Sequence, residues 1–337
     1  MKKLKRFFLG VLFTSTLLQA TNANAKEVRI YSGRHYNTDR QVFKDFSQAT
    51  GIKVRLIEAT GISLVERLKR EGKNSKADVI LLVDAARINN AAEAGLLAPI
   101  SSSTLIRTIP AQYRDPQNRW FGLTRRVRAI IANPKIVDAS TIQSYADLAK
   151  PSLKGKLCLR KRKNVYNQSL VADQIILKGT TQASAWVKAM VNNVGQPFFS
   201  GDTSLIRAVG KGQCGVGVVN HYYLARMQAG ASGVQDQKIA NQIRLIMPDP
   251  AHVNVSAAGM AKSAKNINEA KQLIEFLASP QGSAALAGPT YEYPLRGFGS
   301  SRELKAFGPF NADGVSIKQL GSTQKKAIKI MANNGWY

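Results

Sequence analysis

Asp78-Val-Ile-Leu-Leu-Val-Asp84 sets five consecutive apolar residues between two carboxylates. A strand with one wet face alternates apolar and polar side chains. A run without alternation has both faces covered, as in a parallel sheet with helices above and below it. The flanking sequence follows the same pattern. Residues 27–31 alternate like a strand, and a polar loop leads to a helix over 40–49 that Thr38 or Asp39 can cap and Gly51 stops. Residues 53–58 form a second strand and 62–70 a second helix. After the apolar run comes a helix over 85–94, ended by Gly95. Strands alternating with helices of about ten residues make βαβ units, and so an α/β fold.

The second half continues in this manner. Residues 120–124 and 127–132 read as extended segments closed by Asn133-Pro134. A long extended passage between two α/β units suits a hinge. Residues 156–160 and 214–219 are predicted strands. A loop at 164–167 opens a helix over 168–177, and Asn220 is placed to cap a helix that Gly230 stops. Further helices are expected over 145–149, 182–192, 203–209, 269–278, 280–286 and 318–332, with return strands over 243–247 and 253–260. The chain thus reads as two α/β lobes with a cleft, joined by hinge strands near 120–132 and 243–260.

The start, Met1-Lys2-Lys3-Leu4-Lys5-Arg6, precedes an apolar run over 7–18 and the small-x-small stretch Ala23-Asn24-Ala25. These are the parts of a secretory signal peptide over 1–25. No Arg-Arg pair precedes the apolar run and no lipobox cysteine follows it, so Sec export to the periplasm without a lipid anchor is expected. The chain carries 48 Lys+Arg against 21 Asp+Glu, a net charge of +27. In a cytosolic protein that excess would suggest nucleic acid. Export argues against it, and the dense runs Arg125-Arg126-Val127-Arg128 and Arg160-Lys161-Arg162-Lys163 lack the interleaved aromatics of a base-stacking platform. An anionic envelope surface or anionic chelates are better partners, and a generally basic proteome accounts for the charge equally well. Two cysteines, Cys158 and Cys214, suggest one disulfide in an oxidising compartment. Metal ligation by them is the weaker reading.

Three loops follow a predicted strand and precede a predicted helix, the place where open α/β sheets bind ligands. They carry His35-Tyr36, Tyr166 and Tyr222-Tyr223. A Tyr-Tyr pair alone is more often one core ring and one surface ring. Phenols from both lobes at matching loops point further. Phenolate is a hard anionic donor with a free pKa of about 10, so at neutral pH it needs a strong Lewis acid. Fe3+ meets that need, whereas Mg2+ and Ca2+ prefer carboxylates and Zn2+ prefers Cys and His. Four phenolates and a neutral imidazole around Fe3+ leave one net negative charge, which needs a cation nearby when buried. Arg226 returns to the face of Tyr222 and Tyr223 and is the first candidate, with Arg34 and Arg126 next. His221 is expected in the outer shell or at the surface, His252 in an exposed loop, and Tyr291 and Tyr293 in packing between the lobes.

Tyr31-Ser-Gly-Arg-His-Tyr-Asn-Thr-Asp39, taken with Asn220-His-Tyr-Tyr223, resembles the ferric-ion-binding periplasmic proteins of ABC transporters, and within them the cyanobacterial FutA type. The order of motifs is similar along nearly the whole mature chain. The resemblance implies a two-lobed, type II-like periplasmic binding protein, each lobe a mixed sheet flanked by helices, with a metal cleft between them. The lobes would comprise 26–125 plus about 249–285, and about 126–248 plus about 286–337. It implies His35, Tyr36, Tyr166, Tyr222 and Tyr223 as ligands to transported Fe3+, leaves Fe2+ open, and places Arg226 beside them. Some relatives add a Glu ligand and a synergistic anion. No acidic residue stands beside Tyr36, so no obligatory anion is expected. The implied partners are an ABC permease in the inner membrane and an iron ion or weak iron chelate, with the protein a monomer. No Gly-x-Ser-x-Gly, HExxH or phosphate-cradling loop is present, so no enzyme is expected. The alternative is a receptor of the same fold for a small organic anion without metal, since fold does not fix function.

Overall fold

The computed structural model describes residues 26–34 and 36–337; the expected signal peptide over 1–25 and His35 lie outside the described residues. In chain order the strands are β1 (Glu27–Ser32), β2 (Lys53–Glu58), β3 (Val79–Val83), β4 (Leu97–Ala98), β5 (Phe121–Ala132), β6 (Leu157–Cys158), β7 (Val216–Asn220), β8 (Arg244–Ile246), β9 (Val253–Ala261) and β10 (Tyr293–Pro294). They lie in the order β2–β1–β3–β9–β5–β7–β6, with β4 on β9 and β8 and β10 on β5. The five apolar residues between Asp78 and Asp84 are β3, all buried. This strand pairs parallel with β1 and antiparallel with β9, so the sheet is mixed.

The two carboxylates flanking β3 anchor it. Asp78 accepts from the backbone N–H groups of Arg29 at 2.8 Å, Lys265 at 2.9 Å and Asn266 at 3.0 Å. Asp84 caps the helix Ala85–Glu93, taking the N–H of Ala86 at 3.0 Å. Its φ of 88° lies where non-glycine residues rarely sit. Its carboxylate is held in place by Asn254 Nδ2 at 2.9 Å and Ser169 Oγ at 3.0 Å.

β5 joins two sheet regions. Its first half, Phe121 to Val127, pairs antiparallel with β9. Its second half, Arg128 to Ala132, pairs antiparallel with β7 and in part with β8. One continuous strand therefore passes from a sheet of β1–β4, β9 and β10 into one of β6–β8. The helix Ile317–Asn333 packs against both Ala85–Glu93 and Val165–Lys178, one helix from each side. At Gly321 a Cβ would stand 2.6 Å from the Cβ of Asn89, so glycine allows this close approach.

Helix starts differ from the sequence reading where caps decide. Asn164 Oδ1 accepts from Tyr166 N at 3.1 Å and Asn167 N at 3.3 Å, so the helix runs Val165–Lys178 and Tyr166 stands in its first turn, not in a preceding loop. Asn220 occupies the N-cap position of the helix His221–Gln228, but its side chain makes no cap bond. Asp39 is the first residue of the helix Asp39–Thr50 and its carboxylate faces Arg34; neither it nor Thr38 caps. Short helices at Ser103–Thr108, Val234–Ala240 and Arg302–Phe307 were not expected. Cys158 and Cys214 form a disulfide, with Cα atoms 6.0 Å apart. Among the described residues no helix is long and apolar enough to cross a membrane.

Candidate metal centre

Tyr36 follows β1, Tyr166 follows β6, and Tyr222-Tyr223 follow β7. Tyr222 is buried; the other three are half-buried. The rings of Tyr222 and Tyr223 stack with centroids 4.5 Å apart. The Arg226 guanidinium lies 5.6 Å from the Tyr36 centroid, 5.8 Å from Tyr222 and 5.9 Å from Tyr223. One cation thus faces phenols carried by both sheet regions. Tyr166 lies under Arg126, 5.4 Å away, and 6.0 Å from Arg160.

Burial disfavours phenolate at Tyr36, Tyr222 and Tyr223. Burial and then the charge of Glu292 push Tyr36 up to about 12, against the pull of Arg34. Burial raises Tyr222 well above its ordinary value, and ionised Tyr166, Tyr36 and Tyr223 would raise it further. Tyr223 is raised by burial, then by Tyr166. The phenols are close enough that ionising one opposes ionising the next. Such a group stays protonated at neutral pH until a strong cation enters.

The arginines do not share one role. Arg34 is buried and gives Nε to Asp39 at 2.8 Å and Nη1 to Glu292 at 2.8 Å. Arg126 gives Nη1 to the other oxygen of Glu292 at 3.3 Å and Nη2 to Val255 O at 2.6 Å. Burial would raise Glu292, but Arg34 and Arg126 outweigh it and hold the carboxyl below its ordinary value. Two guanidiniums and two carboxylates therefore balance each other beside Tyr36. Arg226 donates to Thr290 O at 3.4 Å and has no carboxylate partner among the described residues. A further buried cation, Arg128, reaches Asp202 at 2.7 Å, Asn167 at 2.7 Å and Asn220 at 3.4 Å. It ties the turn after Tyr166 to the turn before Tyr222. Arg126, Arg128, Asn220, His252 and Asn254 close around one side of Tyr166.

The structure therefore brings together Tyr36, Tyr166, Tyr222, Tyr223 and the three named arginines. Glu292, Arg128 and Asp202 escaped the sequence reading. The histidine expectations are corrected. His221 is fully buried: Nδ1 accepts from Val127 N at 3.1 Å, Nε2 faces Tyr291 O at 3.1 Å, and the ring stacks on Tyr293 at 4.3 Å. Burial lowers its pKa to about 3, so it is a neutral packing residue and not a surface one. His252 is buried too, near Asp173 and Asp313. Burial would lower it, but the two carboxylates raise it to about 9. In both cases distant parts of the chain cover what looked like a loop.

The chain matches the description "Bacterial extracellular solute-binding protein" over residues 32–284. It is 39% identical to Iron uptake protein A1 of Synechocystis, across 94% of this chain and 89% of that one. A solved structure of Trichodesmium IdiA (FutA) in complex with iron and citrate ligands superposes with a TM-score of 0.89 at 40% identity, covering 92% of this chain and 100% of that one. A ferric binding protein from Campylobacter jejuni gives a TM-score of 0.85 at 34% identity, covering 92% and 100%. The architecture is the two-lobed, type II-like periplasmic binding-protein fold of these neighbours. With the match spanning most of its length, the chain belongs to the bacterial extracellular solute-binding protein family.

Proposed function

We propose that this protein captures ferric iron outside the cytoplasm and hands it to an ABC permease, with Tyr36, Tyr166, Tyr222 and Tyr223 as phenolate ligands. His35, outside the described residues, is the fifth ligand. The observation that carries the reading is the convergence of phenols from both sheet regions around one uncompensated guanidinium, Arg226. Relatives named for iron support it. In the order of events, Tyr166, Tyr222 and Tyr223 engage iron in the open cleft, and closure about β5 and β9 brings in Tyr36 and His35. The lobes divide near the middle of β5, the protein works as a monomer after Sec export, and Fe2+ is a weaker cargo because the same shell would then carry one more net negative charge. Each tyrosine that ligates releases its proton, so ferric affinity falls as pH falls.

Titration with ferric citrate tests the reading. The wild type should develop a broad visible tyrosinate–iron band that a Tyr222→Phe/Tyr223→Phe variant lacks. A folded wild type with no band would move the assignment to an organic-anion receptor.

A further inference from the structure

Away from the phenols, a second cluster of donor atoms lies where β9 begins. His252 Nδ1 is 3.4 Å from Asp173 Oδ1 and 3.7 Å from Asp313 Oδ2. The three ligand-capable atoms lie within 4.8 Å of one another, and all three side chains are almost fully buried. These separations exceed the roughly 2.7–3.2 Å of an N–H···O hydrogen bond. They suit neighbouring donors around one ion: bonds of about 2.0–2.2 Å in a tetrahedron put ligand atoms roughly 3.4 Å apart. Nδ1 and Nε2 of His252, Oδ1 of Asp173 and Oδ2 of Asp313 all lack a hydrogen-bond partner among the described residues.

The opposite oxygens are already held. Asp173 Oδ2 accepts from Gln174 Nε2 at 2.9 Å, and Asp313 Oδ1 accepts from Val315 N at 2.8 Å. Each carboxylate thus turns its unused oxygen toward the same imidazole, the way outer contacts orient metal ligands. The backbone is fixed as well. His252 N donates to Tyr145 Oη at 3.1 Å, and Asp313 N donates to Ala251 O at 3.1 Å.

We propose that Asp173, His252 and Asp313 form a second metal site, structural in role, for a divalent cation of the zinc type. Two carboxylates neutralise a dication, and the imidazole favours Zn2+ over Ca2+ or Mg2+. Asp313, the most exposed of the three residues, offers the ion its way in. Asp173 lies on the helix that carries Tyr166, and His252 immediately precedes β9. The ion therefore pins that helix to the start of β9.

The test uses the full mature chain carrying Tyr222→Phe/Tyr223→Phe, so that the phenols do not compete, and Zn2+ as the probe. Equilibrium dialysis followed by metal analysis should find about one Zn2+ per chain, with Ca2+ retained at least tenfold more weakly. Adding Asp313→Asn, at the least buried of the three positions, should abolish retention while circular dichroism reports an intact fold. Absence of Zn2+ retention, or retention unchanged by both Asp313→Asn and His252→Gln, would overturn the site and leave a proton as what sits between these groups. Neither result bears on the ferric band of the wild type.

Discussion

Arg226 faces three phenols and has no carboxylate partner among the described residues, so its charge is available to a cargo. In the proposed site, four phenolates on Fe3+ would carry one net negative charge, and this guanidinium would offset it. Arg226→Gln should weaken ferric affinity about 10- to 100-fold, as is usual for residues around a ligand shell, in a competition titration against citrate. Unchanged affinity would mean the charge is met elsewhere. Glu292 presents the converse case. Glu292→Gln leaves Arg34 and Arg126 buried with too little counter-charge, and removing one partner of a buried pair costs about 3–5 kcal/mol, readable in urea unfolding. The sequence singled out Tyr36 and Arg34 because a polar loop after a strand is a local signal. Glu292 gave none: it is 258 positions from Arg34 and sits in a tyrosine-flanked stretch that reads as packing. His221 and His252 were misplaced for the same reason, since burial of a loop depends on what folds over it.

Elements were legible where pattern is long. β1, β2, β3 and β9 follow from their residues, and β5 shows itself as extended chain. Two-residue strands such as β4 and β10 have too little pattern to stand out, and caps shift helix starts. The turn Tyr145–Ala149 shows a cap acting through charge. Ser144 and Asp147 form a capping box there. Slight burial would raise Asp147, but Lys150 and the N–H groups of Gln143 and Ser144 bring it to about 2. This lies below the roughly 3.9 of an unfolded aspartate. The carboxylate's contribution is therefore complete above about pH 4 and lost as pH falls through 2. Acid unfolding of wild type and Asp147→Asn should diverge above pH 4 and converge near pH 2. Equal stability at neutral pH would remove the box from the account.

Across the whole molecule, two lobes were visible in the alternation of strands and helices and in the extended passage at mid-chain. The double contact of the helix Ile317–Asn333 was not. An amphipathic pattern says that a face is buried, not against what. The proposed closure would move this helix relative to Ala85–Glu93, relative to Val165–Lys178, or both. Small-angle scattering should show a smaller radius of gyration on ferric loading. Gly321→Leu, wedged against Asn89, should hold the lobes apart and blunt that compaction. Equal compaction in both proteins would mean that the helix slides freely.

The far end of this helix has a consequence in time. Trp336 Nε1 donates to Arg160 O at 2.7 Å, and Arg162 N donates to Tyr337 O at 2.8 Å. The segment leading to Tyr166 is therefore braced by residues made some 170 positions later. A chain that emerges with its N-terminus first, from a ribosome or through a pore, has no finished cradle until Trp336 arrives. At the proposed site, capture would wait for Trp336, and a product cut short of it should hold ferric iron more weakly.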